Sequence, residues 1–166
     1  MKKIILVVVV LLLISGCSKE SINYSFFQEG EDKRYVMELT EESLAEFETK
    51  NSNLLQDLDG TEKDELLKLS TPSLNFYAEN SNIFPCHFEY GSIYNMSDMD
   101  ECRYEISEEE NTLTVYISCM GQDTEYAFEI LDERTLKFVQ EKSSELLYVE
   151  KNCISIPDGA IFRYEE

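Results

Sequence analysis

The sequence predicts a mainly β protein: an antiparallel meander, closed as a barrel or half open as a sandwich, with a short two-helix insertion after the second strand. Three observations carry this reading. After Thr71-Pro72 apolar residues recur with period two, as in Leu113, Val115 and Ile117 or Tyr126, Phe128 and Ile130. Clusters of turn formers punctuate that alternation at intervals of about 8–12 residues. Between Thr40 and Ser70 the period changes, and acids gather where helices begin.

The elements follow in order. Ile22 to Phe26 reads as a first strand and Arg34 to Leu39 as a second. Thr40 then precedes Glu41 and Glu42, acids that the helix dipole favours in a first turn. Leu44 and Phe47, with Ala45, supply the apolar face, and Asn51-Ser52-Asn53 interrupts the helix. Asp59-Gly60 is a turn; Thr61 with Asp64 approximates a capping box before Leu66, Leu67 and Leu69, so the insertion covers residues 41–69.

The meander proper has about seven strands. Leu74, Phe76 and Ala78 share one face, as do Cys102, Tyr104 and Ile106; Leu136 and Phe138 follow the two sets already named. Asn80-Ser81-Asn82, Glu108 to Asn111, Gly121-Gln122-Asp123 and Asp132-Glu133-Arg134 separate them. Pro157-Asp158-Gly159 should close a hairpin between residues 153–156 and 160–164. Within the first hairpin, Ile106 should face Leu113 and Cys102 should face Ile117.

Composition narrows the function. The 166 residues carry 14 Lys and Arg against 34 Asp and Glu, a formal charge of −20. A chain so acidic is a poor partner for nucleic acid, whose phosphates need a basic face. With 43% hydrophobic residues, 10 Tyr and 9 Phe, it has enough apolar material for one core, and no Pro/Gly/Ser linker divides it.

The N-terminus has a separate character. Lys2-Lys3 precedes 11 uninterrupted apolar residues, Ile4 to Ile14. At ~1.5 Å per residue they span about 16 Å, half of a hydrocarbon core, which is the signature of a signal peptide and not of a membrane span. Ile14-Ser15-Gly16-Cys17 resembles the lipobox of bacterial lipoproteins: an aliphatic residue, two small residues, then Cys. The resemblance implies cleavage before Cys17 and a diacylglyceryl group on its thiol. Residues 1–16 are then the signal peptide, 17–21 a lipid-anchored tether and 22–166 one β-rich domain. The expected location is the extracytoplasmic face of the cell membrane or outer membrane. Loss of Lys2 and Lys3 takes the charge from −20 to −22.

The run from Tyr126 to Phe138, with its Tyr-Ala-Phe-Glu-Ile and Thr-Leu-Lys-Phe strands around a turn, is similar to the lipocalin-like domains carried by many bacterial lipoproteins, as is the later Leu147-Tyr148-Val149. This resemblance covers residues 74–150 and implies a β-barrel with an interior site. The Gly-x-Trp found on the first strand of many such domains is missing, since the chain has no Trp.

Setting Cys17 aside leaves Cys86, Cys102, Cys119 and Cys153, an even number that suits two disulfides in an exported domain. The strand reading favours 102 with 119 and 86 with 153; buried thiols are the alternative. No C-x-x-C is present, so zinc is not expected. An EF-hand alignment on Gly60 would put Leu55 and Leu66 at the first and last ligand positions, where acids are required. Asp98, Asp100 and Glu101 are the remaining oxygen cluster, read as a solvated loop.

His87 is the only His, and it adjoins Cys86. Neighbours on a strand point to opposite faces, so the two cannot form a nucleophile–base pair; His87 is expected to be structural and partly exposed. No catalytic residue, metal or cofactor is therefore expected. The chain reads as a non-enzymatic lipoprotein binding a small apolar ligand in a lipocalin-like barrel. The alternative is an acidic structural or interaction module that docks a protein partner at the cell envelope.

Overall fold

In a computed structural model, residues 22–28, 31–78, 84–90, 99–119, 121–146 and 153–166 are described. Eight strands form one sheet: β1 Lys33–Met37, β2 Ser73–Phe76, β3 Cys86–Glu89, β4 Met99–Ser107, β5 Thr112–Cys119, β6 Gln122–Asp132, β7 Thr135–Phe138 and β8 Ile161–Glu165. Their order is β3-β2-β1-β8-β7-β6-β5-β4, and every pairing is antiparallel. The sheet curls into a nearly closed, lipocalin-like barrel. Its two end strands meet where Cys86 Sγ lies 3.4 Å from Cys102 Sγ. Beside them the rings of Phe76 and Tyr104 cross edge to face at 5.0 Å.

The period-two residues set the register. Ile106 stands opposite Leu113 and Cys102 opposite Ile117, as the alternation required. Leu113 in turn opposes Phe128, and Val115 opposes Tyr126. The register shifts at Met99/Glu101 and Ile130/Asp132, irregularities of the kind that bend a strand locally. Asn111 takes a positive φ of 50° in the β4–β5 turn, a conformation Asn tolerates well. The β5–β6 turn is tighter than the expected Gly121-Gln122-Asp123: Gln122 already pairs with Cys119, so Gly121 belongs to a two-residue loop.

Two expected strands are absent from the described residues. Ile22 to Phe26 does not extend; Tyr24–Phe27 is a 3-10 turn instead. That turn buries Phe27, whose ring stacks on Tyr35 at 5.9 Å and meets Phe76 at 6.0 Å. An extended segment would send Phe26 and Phe27 to opposite faces, whereas the turn keeps both rings against each other and the barrel. The helical insertion therefore follows the first strand, not the second. At the other end, Pro157-Asp158-Gly159 does turn, with Ala160 N donating to Pro157 O and Gly159 at φ +77°. Residues 153–156 are not a strand, however. β8 pairs with β7 and β1, because its alternation completes the gap between them.

The insertion holds three helices: α1 Glu41–Lys50, α2 Ser52–Gln56 and α3 Gly60–Ser70. Thr40 caps α1 reciprocally with Ser43. Glu46 and Lys50 pair at 2.6 Å one turn apart. Asn51 ends the helix by donating to Phe47 O from both its backbone and its side chain. The cap of α3 is Asp59 with Glu62, two residues before the expected Thr61 and Asp64. Asp is the stronger N-cap residue, and Gly60 after it adapts readily to the first helical position.

Candidate functional site

The barrel interior is where a lipocalin-like ligand would sit, and side chains occupy it. Phe88 is fully buried at its centre. Its ring centroid lies 5.2 Å from Tyr126, 5.3 Å from Phe128, 6.0 Å from Phe162 and 6.5 Å from Phe138. Most of these rings meet edge to face or tilted, an arrangement that fills space and complements the ring quadrupoles. Eight-stranded barrels are just wide enough for side chains to fill, and large aromatics take that option here.

A more open cavity lies outside the barrel. The three helices enclose a groove of about 510 Å³, within the range typical of small-molecule sites. Leu44 and Phe47 of α1, Leu55 of α2 and Leu67 of α3 form its floor; Glu48, Gln56, Lys63 and Asp64 stand along its rim. The local sequence explains the floor. Leu44 and Phe47 are three residues apart on one helical face, and Asn51 turns the chain so that Leu55 approaches from the next helix. Only Phe47 of these four is buried; the three leucines remain half-exposed. Elsewhere on the insertion, Leu54 and Leu69 are 41% and 62% exposed. The insertion thus keeps an apolar surface that the barrel does not cover. Leu69, named with Leu66 and Leu67 as lining its helix, faces solvent.

Two other hollows are less suited to an apolar ligand. One of about 490 Å³ lies on the outer face of β4–β6. Its cation, Arg103, is held by Glu101 and Glu105 and stacks on the Tyr116 ring at 4.0 Å. The other, about 220 Å³, lies between Thr40 and Ser43 of the helix start and the Pro157 to Ile161 turn.

The residues singled out in the sequence are dispersed. Cys17 and the lipobox lie outside the described residues, as do Asp98 and the Asn80-Ser81-Asn82 and Leu147-Tyr148-Val149 segments. Cys86, Cys102, Cys119 and Cys153 are all buried. The expected pairing of 102 with 119 is not the one the fold makes closest, because Cys102 points across the barrel seam to Cys86. That contact, together with burial, pushes the Cys86 thiol far above the usual thiol range.

His87 is buried at 1% exposure, not partly exposed as expected. It lies on the outer face of β3, opposite Asn75 and away from Cys86. Nδ1 is 3.2 Å from Glu89 Oε1 without hydrogen-bond geometry, and neither ring nitrogen has a hydrogen-bond partner among the described residues. The His87 contact still holds the Glu89 carboxyl below its usual range, helped by the Ser73 hydroxyl and Arg34. Glu101, expected in an acidic loop, lies in β4 opposite Ser118 and pairs with Arg103. Among the described residues no three His, Cys, Asp or Glu gather where a metal ion could bind.

Leu44, Phe47 and Leu67 follow from the helical spacing of the sequence; Leu55, and the meeting of the three helices around a groove, do not. The available signal was Leu54-Leu55 between two Asn and a Gln: an apolar pair too short to define a period. Among the described residues no helix is long and apolar enough to cross a membrane. No family model, no curated protein and no solved structure matches the chain.

Proposed function

We propose that this chain is an extracytoplasmic lipoprotein, held to a membrane through Cys17, that binds a small apolar ligand and performs no chemistry on it. The observation that supports ligand binding is the groove of the helical insertion, with Leu44, Phe47, Leu55 and Leu67 as its floor. The ligand belongs there and not inside the barrel, whose interior is filled by Phe88 and the rings around it. Apolar area removed from water contributes about 25 cal/mol per Å², so a ligand covering this floor gains affinity without a charged anchor. Lys63 on the rim offers a cation to a ligand with an acidic head group.

A diazirine-bearing fatty acid, photoactivated with the full chain in membranes, tests the reading. Crosslinks should map to peptides containing Leu44, Leu55 or Leu67. Leu67→Arg should lower labelling there about tenfold, the equivalent of ~1.4 kcal/mol. Labelling spread evenly over the surface, or unchanged in a folded Leu67→Arg chain, would falsify the assignment. Anchoring is tested separately. Two or more acyl chains bind a bilayer almost permanently, so Cys17→Ser should move the protein from a salt-washed membrane pellet to the soluble fraction.

A further inference from the structure

The barrel has one seam, between β3 and β4, the two ends of the sheet. Among the described residues no backbone ladder crosses it, and the contacts printed there, such as Phe76 with Tyr104, are between side chains. Cys86 and Cys102 sit at that seam on the interior face. Cys86 is opposite Phe76 and Cys102 opposite Ile117, both core residues. Their exposures are 0% and 1%, and their sulfurs are 3.4 Å apart. A disulfide bond is ~2.05 Å long, so the sulfurs need close by only about 1.4 Å, within reach of small side-chain rotations.

We propose that Cys86 and Cys102 form a disulfide that covalently closes the barrel seam. The register argues against the competing bridge between Cys102 and Cys119. Ile117 occupies the position opposite Cys102, which leaves Cys119 diagonal to it. Diagonal neighbours stand about 7–8 Å apart, beyond the usual disulfide span of about 4.4–6.8 Å.

The chemistry is thiol–disulfide exchange with a small-molecule disulfide such as oxidised glutathione. One cysteine thiolate attacks the glutathione disulfide, forming a mixed disulfide and releasing one glutathione thiolate. The second cysteine thiolate then displaces the other glutathione. The protein pair is oxidised to one S–S bond, the glutathione disulfide is reduced to two thiols, and the two cysteine protons end on those thiols. Burial keeps Cys86 protonated in the folded barrel, so exchange proceeds in the unfolded chain or when the seam opens. The inference is independent of the ligand groove.

The test uses the full chain in detergent, unfolded, refolded in oxidised and reduced glutathione, alkylated, and digested after Glu. Glu89 and Glu101 lie between the two cysteines, so the digest separates them. The expected product is one crosslinked peptide pair holding Cys86 and Cys102, about 2 Da lighter than the two thiol peptides together, as expected when an S–S bond replaces two S–H bonds. It should persist when both Cys119 and Cys153 are replaced by Ser. In that variant the oxidised form should melt about 5–10 °C above the reduced form, the effect of bridging a loop of about 15 residues in a domain of this size. Cys86 linked to another cysteine in the wild-type digest, or Cys86 and Cys102 both fully alkylated after oxidation, overturns the proposal. A crosslink without a gain in melting temperature overturns its role in holding the seam.

Discussion

Phe88 shows what a single residue does in this barrel. Its ring touches aromatics from β6, β7 and β8 as well as Tyr90 just after its own strand, so it ties the two halves of the sheet across the interior. Phe88→Ala should cost about 3–5 kcal/mol in urea unfolding, because neighbours fixed in their own strands cannot collapse into the space. Tyr35 supports a pH prediction. It is buried in β1, donates its hydroxyl proton to Glu133 O, and burial raises its pKa well above that of a free tyrosine. An acid with a raised folded pKa contributes stability that is complete below its unfolded value near pH 10. That contribution is lost as pH rises toward the folded value, with a slope of up to about 1.4 kcal/mol per pH unit. Tyr35→Phe should cost about 1 kcal/mol at pH 7, for the lost hydrogen bond. It should also flatten the fall in stability above pH 10; identical alkaline slopes in the two proteins would contradict the assignment.

At the scale of elements, caps and turns do more than propensity. Thr40→Ala removes the acceptor for Ser43 N and should destabilise the chain by about 1 kcal/mol, with helical CD signal lost before the strand signal. At Gly159→Ala the added Cβ would meet only the Lys137 side chain, at 3.9 Å in ordinary contact, but φ is +77°, so the strain is backbone strain. It should cost about 1 kcal/mol by thermal melting. The same elements show what could be read from the chain. Ile106 with Leu113, and Cys102 with Ile117, were legible because period two set the faces and the Glu108 to Asn111 turn set the register. The Pro157-Asp158-Gly159 turn was legible too, but its partner strand was not. A turn signal is local, whereas the pairing of Arg34 with Glu165 joins residues 131 apart. The 3-10 turn at Tyr24–Phe27 stayed hidden because consecutive aromatics have no period. The groove was half legible: its helix-face leucines follow from spacing, but their meeting depends on how Asn51 and Asp59 redirect the chain.

Over the whole molecule, acids outnumber bases by 20. Several bases are already engaged, as in Arg34–Glu165, Lys137–Glu129 and Arg163–Glu38. The excess acids repel one another across a domain of this size. Added salt should therefore raise the melting temperature between 10 mM and 0.5 M NaCl, even though it weakens the exposed pairs. A fall over that range would show that local pairs outweigh the net repulsion. The spread of acids over Glu41-Glu42, Glu108 to Glu110 and Asp132-Glu133 makes this a property of the whole surface, not of one face.

The placement of β8 has a consequence for timing. It lies between β1 and β7, and both are made before it. Until residues 161–165 emerge from the ribosome, β1–β3 and β4–β7 are two separate ribbons with no shared ladder, each exposing unpaired edges. The barrel therefore cannot close before residues 161–165 are made. A stop codon after Ala160, which removes β8, should leave a protease-sensitive chain without a cooperative melt.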